Sequence, residues 1–436
     1  MGKKFLTVVA TTVAFFSVTS LAVSQIERKI KDDLYTQMEL YSYALTTIQA
    51  DYVEDLPPKD LIYGSLKGML AILDPHSQFL DPTEYKELKT ETEGKFGGLG
   101  IEISLRDGLL TVITPIEDTP AWNAGIKAGD RIVKIEDEIT KDITLGDAVK
   151  KLRGKPGTDI RITVLREETS KILEFKITRE IIHIQDVKNT QILEDNIGYI
   201  RLTEFREDSA KEFRNALDEL NKQQANSLIV DLRNNPGGLL NVAIAISEEF
   251  LPEGDIIVST KGRRTSQNTI TKSTNTSHLV DWPMVVLINE GSASGSEILA
   301  GALKDNKRAI IVGMQSFGKG SVQSVIPLPD GSGLKLTTSK YFTPSGESIH
   351  GKGITPDIVV KFIPPAEAKE DDKKEEVKNE KDIEKIFDDV EIHDTKNPEE
   401  LKLSKKEKEI REQLLGDNQV QTAMSVLKGI KVYRKM

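Results

Sequence analysis

A serine among small residues, followed 25 positions later by a lysine between two glycines, is the pairing in this chain best suited to covalent chemistry. Ser294 sits in Gly291-Ser-Ala-Ser-Gly-Ser-Glu297, and Lys319 in Phe317-Gly-Lys-Gly-Ser-Val-Gln323. A serine hydroxyl attacks a carbonyl only when a neighbour accepts its proton. A lysine amine can accept it if burial lowers its pKa from about 10.4 towards about 7 to 8. Phe317 and Val322 are expected to supply apolar bulk beside Lys319, while Gly318 and Gly320 permit positive φ or close backbone approach. Apolar residues at three- and four-residue spacing (Ile298, Leu299, Ala302, Leu303) predict a helix from near Ser296. Ser294 then precedes a helix N-terminus, whose unpaired N–H groups and positive dipole end can hold an oxyanion. The same residues also read as a capping box, Ser294 with Glu297.

Two other chemistries compete for this region. Gly313-Met-Gln-Ser-Phe-Gly-Lys319 matches the first seven positions of a phosphate-cradling loop. Gly320 replaces the hydroxyl that would hold magnesium, and Val322, Val325, Ile326 and Pro327 read as strand and turn where a helix should open, so nucleotide binding is not expected. A Ser-His-Asp triad stays open from sequence, because its members need only meet in space. Of His76, His183, His278, His350 and His393, His350 is the one to test, and His76 reads as structural. None has the spacing of a metal-binding helix, and the chain has no cysteine, which removes disulfides, thiolate zinc sites and a cysteine nucleophile.

The elements that must carry these residues follow from periodicity. Ile197–Leu202, Ser227–Leu232, Met284–Asn289 and Ala309–Val312 read as strands; Asp208–Leu220 and Val242–Phe250 read as helices. Alternation of this kind predicts an α/β core with functional loops at strand ends. Asp231 and Arg233 are expected to brace the Asn234-Asn235-Pro-Gly-Gly turn, and Asp305 to pair with Arg308 along a helix. Upstream, strand-like Leu110–Ile113, Arg131–Ile135 and Ile160–Leu165 alternate with turns at Gly129-Asp130 and Pro156-Gly157. Gly98, Leu99, Gly100 and Ile101 would offer successive N–H groups to a peptide C-terminal carboxylate, beside a strand edge able to pair with the peptide. Arg153 reads as a solvated turn residue, with a carboxylate-sensing role as the sharper alternative.

Asp231-Leu-Arg-Asn-Asn-Pro-Gly-Gly-Leu-Leu, Gly291-Ser-Ala-Ser and Phe317-Gly-Lys-Gly-Ser-Val-Gln resemble the signature blocks of the carboxyl-terminal processing peptidases, tail-specific Ser/Lys proteases. Tyr52-Val-Glu, Leu73-Asp-Pro-His-Ser and Gly94-Lys-Phe-Gly-Gly-Leu-Gly-Ile extend the likeness over about residues 35 to 360, with a weaker echo at Gln419–Gly429, the Gly94 block opening something similar to a PDZ domain. The resemblance implies Ser294 as nucleophile, Lys319 as general base and Gln323 as the residue that positions the lysine. It further implies an oxyanion hole from the N–H of Gly295 and one from Gly237 or Gly238. Two positions depart from the pattern: Gly295 stands where alanine is more frequent, and Met314 where an acidic residue is frequent. Neither removes a reacting group.

The 436 residues allow two or three domains, and a net charge of −10 gives no basis for nucleic-acid binding. Lys3 and Lys4 precede an apolar stretch from Phe5 to Val23, with Ala22-Val23-Ser24 as a cleavage pattern. This reads as an export signal, or as an uncleaved anchor with the lysines inside. Ile26–Tyr43 and Asp60–Leu73 read as amphipathic helices around Pro57-Pro58, more in keeping with ordinary core than with the dimerisation the resemblance suggests. Ala366–Glu384 is too charged to bury a core and reads as a tether to a helical piece, Glu407–Lys428.

The chain is therefore expected to be an α+β multidomain protein. Residues 1–24 form the leader, 25–90 a helical region, 91–180 a PDZ domain of strands with helices, 181–363 an α/β protease core, 364–400 a charged linker and 401–436 a helical tail. The expected function is that of an exported, periplasmic or extracytoplasmic serine endopeptidase that needs no cofactor or metal and recognises protein substrates by apolar C-terminal tails. A regulatory or adaptor protein, a homodimer and membrane association at the N-terminus are the further partners considered. The competing reading is a catalytically silent PDZ scaffold.

Overall fold

A computed structural model describes residues 33–106, 108–166, 171–276, 280–364 and 408–435. The leader, the charged linker, His278 and His393 lie outside the described residues. The chain forms two units, residues 1–81 with Ile326–Leu336, and Pro82–Val325 with Thr337–Met436.

In the first unit a helix occupies residues 33–51, followed by Pro58–Ala71. The earlier helix runs past its expected end at Tyr43 because Ala44, Leu45, Ile48 and Ala50 continue to favour it. Its stripe does not form ordinary core: Leu34, Tyr35, Met38, Leu40 and Tyr43 are all exposed. Pro58 begins the second helix, where its missing N–H costs nothing. Asp74 accepts the N–H groups of His76 and Ser77, which leads into the strand Gln78–Leu80. That strand pairs antiparallel with Gly333–Lys335, and Tyr63 stacks edge-on against Phe79 and donates to Asp330.

The second unit holds the catalytic blocks. Its central sheet has the spatial order Val187–Ile192, Ile197–Leu202, Ser227–Asp231, Met284–Ile288, Ile310–Gly313, Ile358–Val359, with the first pair antiparallel and the rest parallel. Both faces are covered, so the strands are apolar on both sides. Leu228, Val230, Met284, Val286 and Ile288 face a core built with the helices Ser209–Lys222, Leu240–Glu248 and Gly295–Asp305. The alternating residues Ile229, Val285 and Leu287 face the opposite side, where the C-terminal helix Asn418–Lys435 lays down Val420, Ala423, Met424 and Leu427. Expected as one helix, the tail is two, residues 408–416 and Asn418–Lys435. Asp417 makes the break: its Oδ1 accepts the N–H groups of Gln419 and Val420 as an N-cap.

Lys95–Gly98 pairs with Glu180–His183, and between them lies an antiparallel sheet ordered Ile101–Arg106, Leu109–Pro115, Arg131–Ile135, Asp159–Arg166, Lys171–Thr178. It closes its own core (Leu110, Val112, Ile132, Ile160, Ile162, Val164) with the helix Leu145–Leu152, which Thr144 caps by accepting the Asp147 N–H. This is the strand-rich module that the Gly-Leu-Gly-Ile block predicts.

The expected Asp305–Arg308 pair does not form. The helix ends at Asp305 and Lys307 has φ 56°, so the two residues are no longer one helical turn apart. Asp305 instead accepts the Ser345 N–H, and Arg308 donates to the carbonyls of Trp282 and Val280.

Candidate active site

Three adjacent parallel strands, Ser227–Asp231, Met284–Ile288 and Ile310–Gly313, each release a loop at the C-terminal end; these loops carry the Asn234–Gly238 turn, Ser294 and Lys319, and the lysine block runs on into the strand Ser321–Pro327. Side chains and main chain lace the loops together. Asn234 N–H donates to Asn289 Oδ1 at 2.8 Å, and Asn289 Nδ2 returns a bond to Asn234 Oδ1 at 2.9 Å. Ala293 N–H reaches the Asn235 carbonyl at 3.0 Å, Met314 N–H the Ile288 carbonyl and Phe317 N–H the Ser292 carbonyl, both at 3.0 Å.

Within the serine block the three hydroxyls differ. Ser292 is buried and donates to the Leu232 carbonyl at 2.8 Å; Ser296 is buried and donates to the Asn235 carbonyl at 2.9 Å. Ser294 alone is partly exposed. It caps the helix Gly295–Asp305 with φ 53° and ψ −109°, a backbone strain that a serine holds only when its surroundings impose it. The surroundings are visible. A Cβ on Gly237, itself at φ 100°, would lie 2.7 Å from Ser294 Cβ, 2.7 Å from Gly295 N and 2.6 Å from the Ala293 carbonyl oxygen, so only glycine fits against this turn. On the other side the Phe205 ring fills the space a Gly295 Cβ would enter.

Lys319 is partly buried, and its two glycines have separate reasons. Gly318 has φ 90°, and a Cβ on Gly320 would collide with the main chain and Cβ of His350. His350 is exposed and presents to this turn its main chain and Cβ. Val322 packs on the core, but Phe317, expected as apolar cover for the lysine, is 65% exposed. Gln323 turns its amide nitrogen to Ser321, donating to Oγ at 2.8 Å and to the carbonyl at 3.1 Å.

Periodicity showed Glu297 only as the far end of a capping box. The structure gives it more to do. Its fully buried carboxylate receives Ser294 N–H at 2.8 Å and Lys319 N–H at 2.9 Å on Oε2, and Ser316 Oγ and Gly318 N–H, both at 2.6 Å, on Oε1. Burial pushes its carboxyl above the usual range, and the four donors pull it back. Phe205 was also missed in the sequence; it donates its N–H to the Gly237 carbonyl at 2.9 Å and accepts Leu239 N–H at 2.7 Å, bracketing the glycine pair. Asp231 and Arg233 do brace the turn, with Arg233 Nη2 2.6 Å from Asp231 Oδ2.

Residues 196–360 match peptidase family S41, and residues 97–177 match the PDZ domain family. A carboxy-terminal-processing protease of Bartonella bacilliformis is 43% identical over 79% of this chain and 80% of its own length. The chain belongs to the carboxyl-terminal-processing proteases. The corresponding protease of Picosynechococcus is 40% identical over 70% of this chain and 74% of its own, and CtpB of Bacillus subtilis is 36% identical over 74% and 68%. The processing protease is thus a serine-type peptidase acting on protein substrates, and the silent-scaffold reading falls. Its PDZ domain holds a cavity of about 80 Å³ lined by Gly98, Leu99, Gly100, Ile101, Val149 and Leu152, among others. Gly100 has φ 77°, and Arg153, exposed just after the helix as a solvated turn residue would be, also lays its guanidinium 4.1 Å over the Phe96 ring beside this cavity.

Proposed function

We propose that this exported protease hydrolyses peptide bonds with Ser294 as nucleophile and neutral Lys319 as its base. The observation that carries the reading is the contrast among three serines: two spend their hydroxyls on buried carbonyls, while Ser294 stands strained and accessible at a helix N-terminus. The Ser294 Oγ proton passes to the Lys319 amine as the carbonyl carbon is attacked. Gln323 Oε1 steadies the amine, since the amide nitrogen is already committed to Ser321. Gly237 N–H is committed to Asn235 Oδ1 at 2.9 Å, which favours Gly295 N–H and Gly238 N–H as the oxyanion donors.

The apolar PDZ cavity, closed at one side by the glycine-bearing Gly98–Ile101 segment, suits a small apolar C-terminal residue, with Arg153 near its carboxylate. Binding there raises the local concentration of substrate at the protease core. The Lys3-Lys4 and Phe5–Val23 pattern supports export to an extracytoplasmic compartment, testable by fractionation and N-terminal sequencing of the mature chain.

The deciding experiment incubates an unfolded protein, with and without an apolar tail, with the full chain and with Ser294→Ala, Lys319→Ala and Arg153→Ala. Both dyad variants should lose cleavage of either substrate. Arg153→Ala should lose only the preference for the tailed one. Cleavage by Ser294→Ala or Lys319→Ala at the wild-type rate overturns the dyad, and an unchanged preference in Arg153→Ala removes the arginine from tail recognition.

A further inference from the structure

The oxyanion loop is held from a part of the chain that no signature block covers. Arg233 opens that loop and is 8% exposed. Asp231 takes one side of the fork, with Nε at 2.9 Å from Oδ1 and Nη2 at 2.6 Å from Oδ2. The remaining arm, Nη1, donates to Asp417 Oδ2 and to Gln419 Oε1, both at 2.7 Å, 184 and 186 residues away in sequence. All three partners are buried, Asp231 fully, Asp417 at 9% and Gln419 at 1% exposed. Asp231 is already shared with the Tyr199 hydroxyl at 2.7 Å and the Arg233 N–H at 2.9 Å, so it cannot take up the third arm.

We propose that Asp417 is a positioning residue for catalysis: through Arg233 it holds the Asn234–Gly238 loop at the depth where its glycines meet the Ser294 turn. Asp417 divides its two oxygens between two tasks. Oδ1 starts the C-terminal helix by accepting Gln419 and Val420 N–H, and Oδ2 faces the arginine. A buried guanidinium with an unmade arm turns to find another acceptor, because an unsatisfied charged donor in a low-dielectric site is strongly disfavoured. Arg233 is four residues from Gly237, and the loop between them has little slack. Asn234 is at φ 58°, and Asn235 is pinned by donating to the Leu202 carbonyl and accepting Gly237 N–H. Rotation at Arg233 therefore moves Gly237 and Gly238 relative to Ser294.

The proposal rests on the Ser294 reading above, and Asp417→Asn separates it from plain helix docking. Asparagine keeps an oxygen for the N-cap but puts an amide where Arg233 needs a negative charge. In the full chain, Asp417→Asn should lower kcat roughly ten- to hundredfold with little change in KM. It should weaken inhibition by a peptide aldehyde by the same factor, because the Ser294 oxygen adds to the aldehyde carbon, its proton goes to Lys319 and the former carbonyl oxygen takes the negative charge in the same loop. An unchanged kcat overturns the proposal, and so does a loss of rate without a parallel loss of aldehyde affinity. If Asp417→Asn does not fold, Gln419→Leu, which removes the second acceptor of the same Nη1, is read by the same two measures. A parallel loss of about threefold or more supports the proposal, and none overturns it. Ser294→Ala is run alongside. If it still hydrolyses substrate, the nucleophile assignment fails and this proposal with it; if it is inactive while Asp417→Asn is unaffected, this proposal fails alone.

Discussion

Ser294 and Lys319 donate their main-chain N–H groups to one atom, Oε2 of Glu297, at 2.8 and 2.9 Å. The two residues come from different loops, at the ends of different strands, and share an acceptor on the first turn of the helix that Ser294 caps. A local helix-capping device has thus become a staple between two catalytic blocks. Because the carboxylate is fully buried, neither N–H can exchange it for water.

Glu297→Gln should therefore damage catalysis more than a lost cap. The amide has one acceptor oxygen for four donors, and its NH2 faces N–H or O–H groups. Steady-state kinetics should show kcat lower by roughly tenfold or more with a smaller change in KM, and urea unfolding a loss of about 2–4 kcal/mol. A kcat within about twofold of wild type would show that the staple has no part in positioning the dyad.

The same residue sets a pH slope. Its carboxyl is raised by burial, so the folded chain keeps a proton that the unfolded chain has released. That contribution to stability is complete below the unfolded glutamate value, about 4.3, and is lost as pH rises through the folded value. Across this window the unfolding free energy of the wild type should fall with pH relative to that of Glu297→Gln. A difference between the two that stays flat, or rises with pH, contradicts the assignment.

Gly237 and Gly254 both have positive φ, at 100° and 93°, but only Gly237 faces other atoms. Gly254→Ala should cost only backbone strain, about 1–2 kcal/mol, and leave turnover intact. Gly237→Ala adds a collision with the Ala293 carbonyl and the Ser294 turn, and should cut kcat by roughly a hundredfold or more. Equal kinetic effects from the two variants would mean that the close approach at Gly237 has no bearing on the reaction.

What the sequence reveals is what neighbours along the chain determine. The sheet faces follow from Leu228, Ile229 and Val230 taking alternate sides, and the helix after Ser294 from its own apolar spacing. The two glycines around Lys319 mark a special backbone by their spacing alone. Contacts formed across the fold leave no such trace. Nothing in the local pattern shows that Glu297 reaches Gly318 and Lys319, or that Phe205 fills the space beside Gly295. Arg308 misled because three residues mean one helical turn only while the helix lasts, and Lys307 has already left it.

The pairing of Arg233 with Asp417 also ties together two distant stretches of the chain. Asp231, two residues away, is the arginine's near partner, whereas the second carboxylate lies 184 residues further along, so closing this contact costs loop entropy that only the docked final helix offsets.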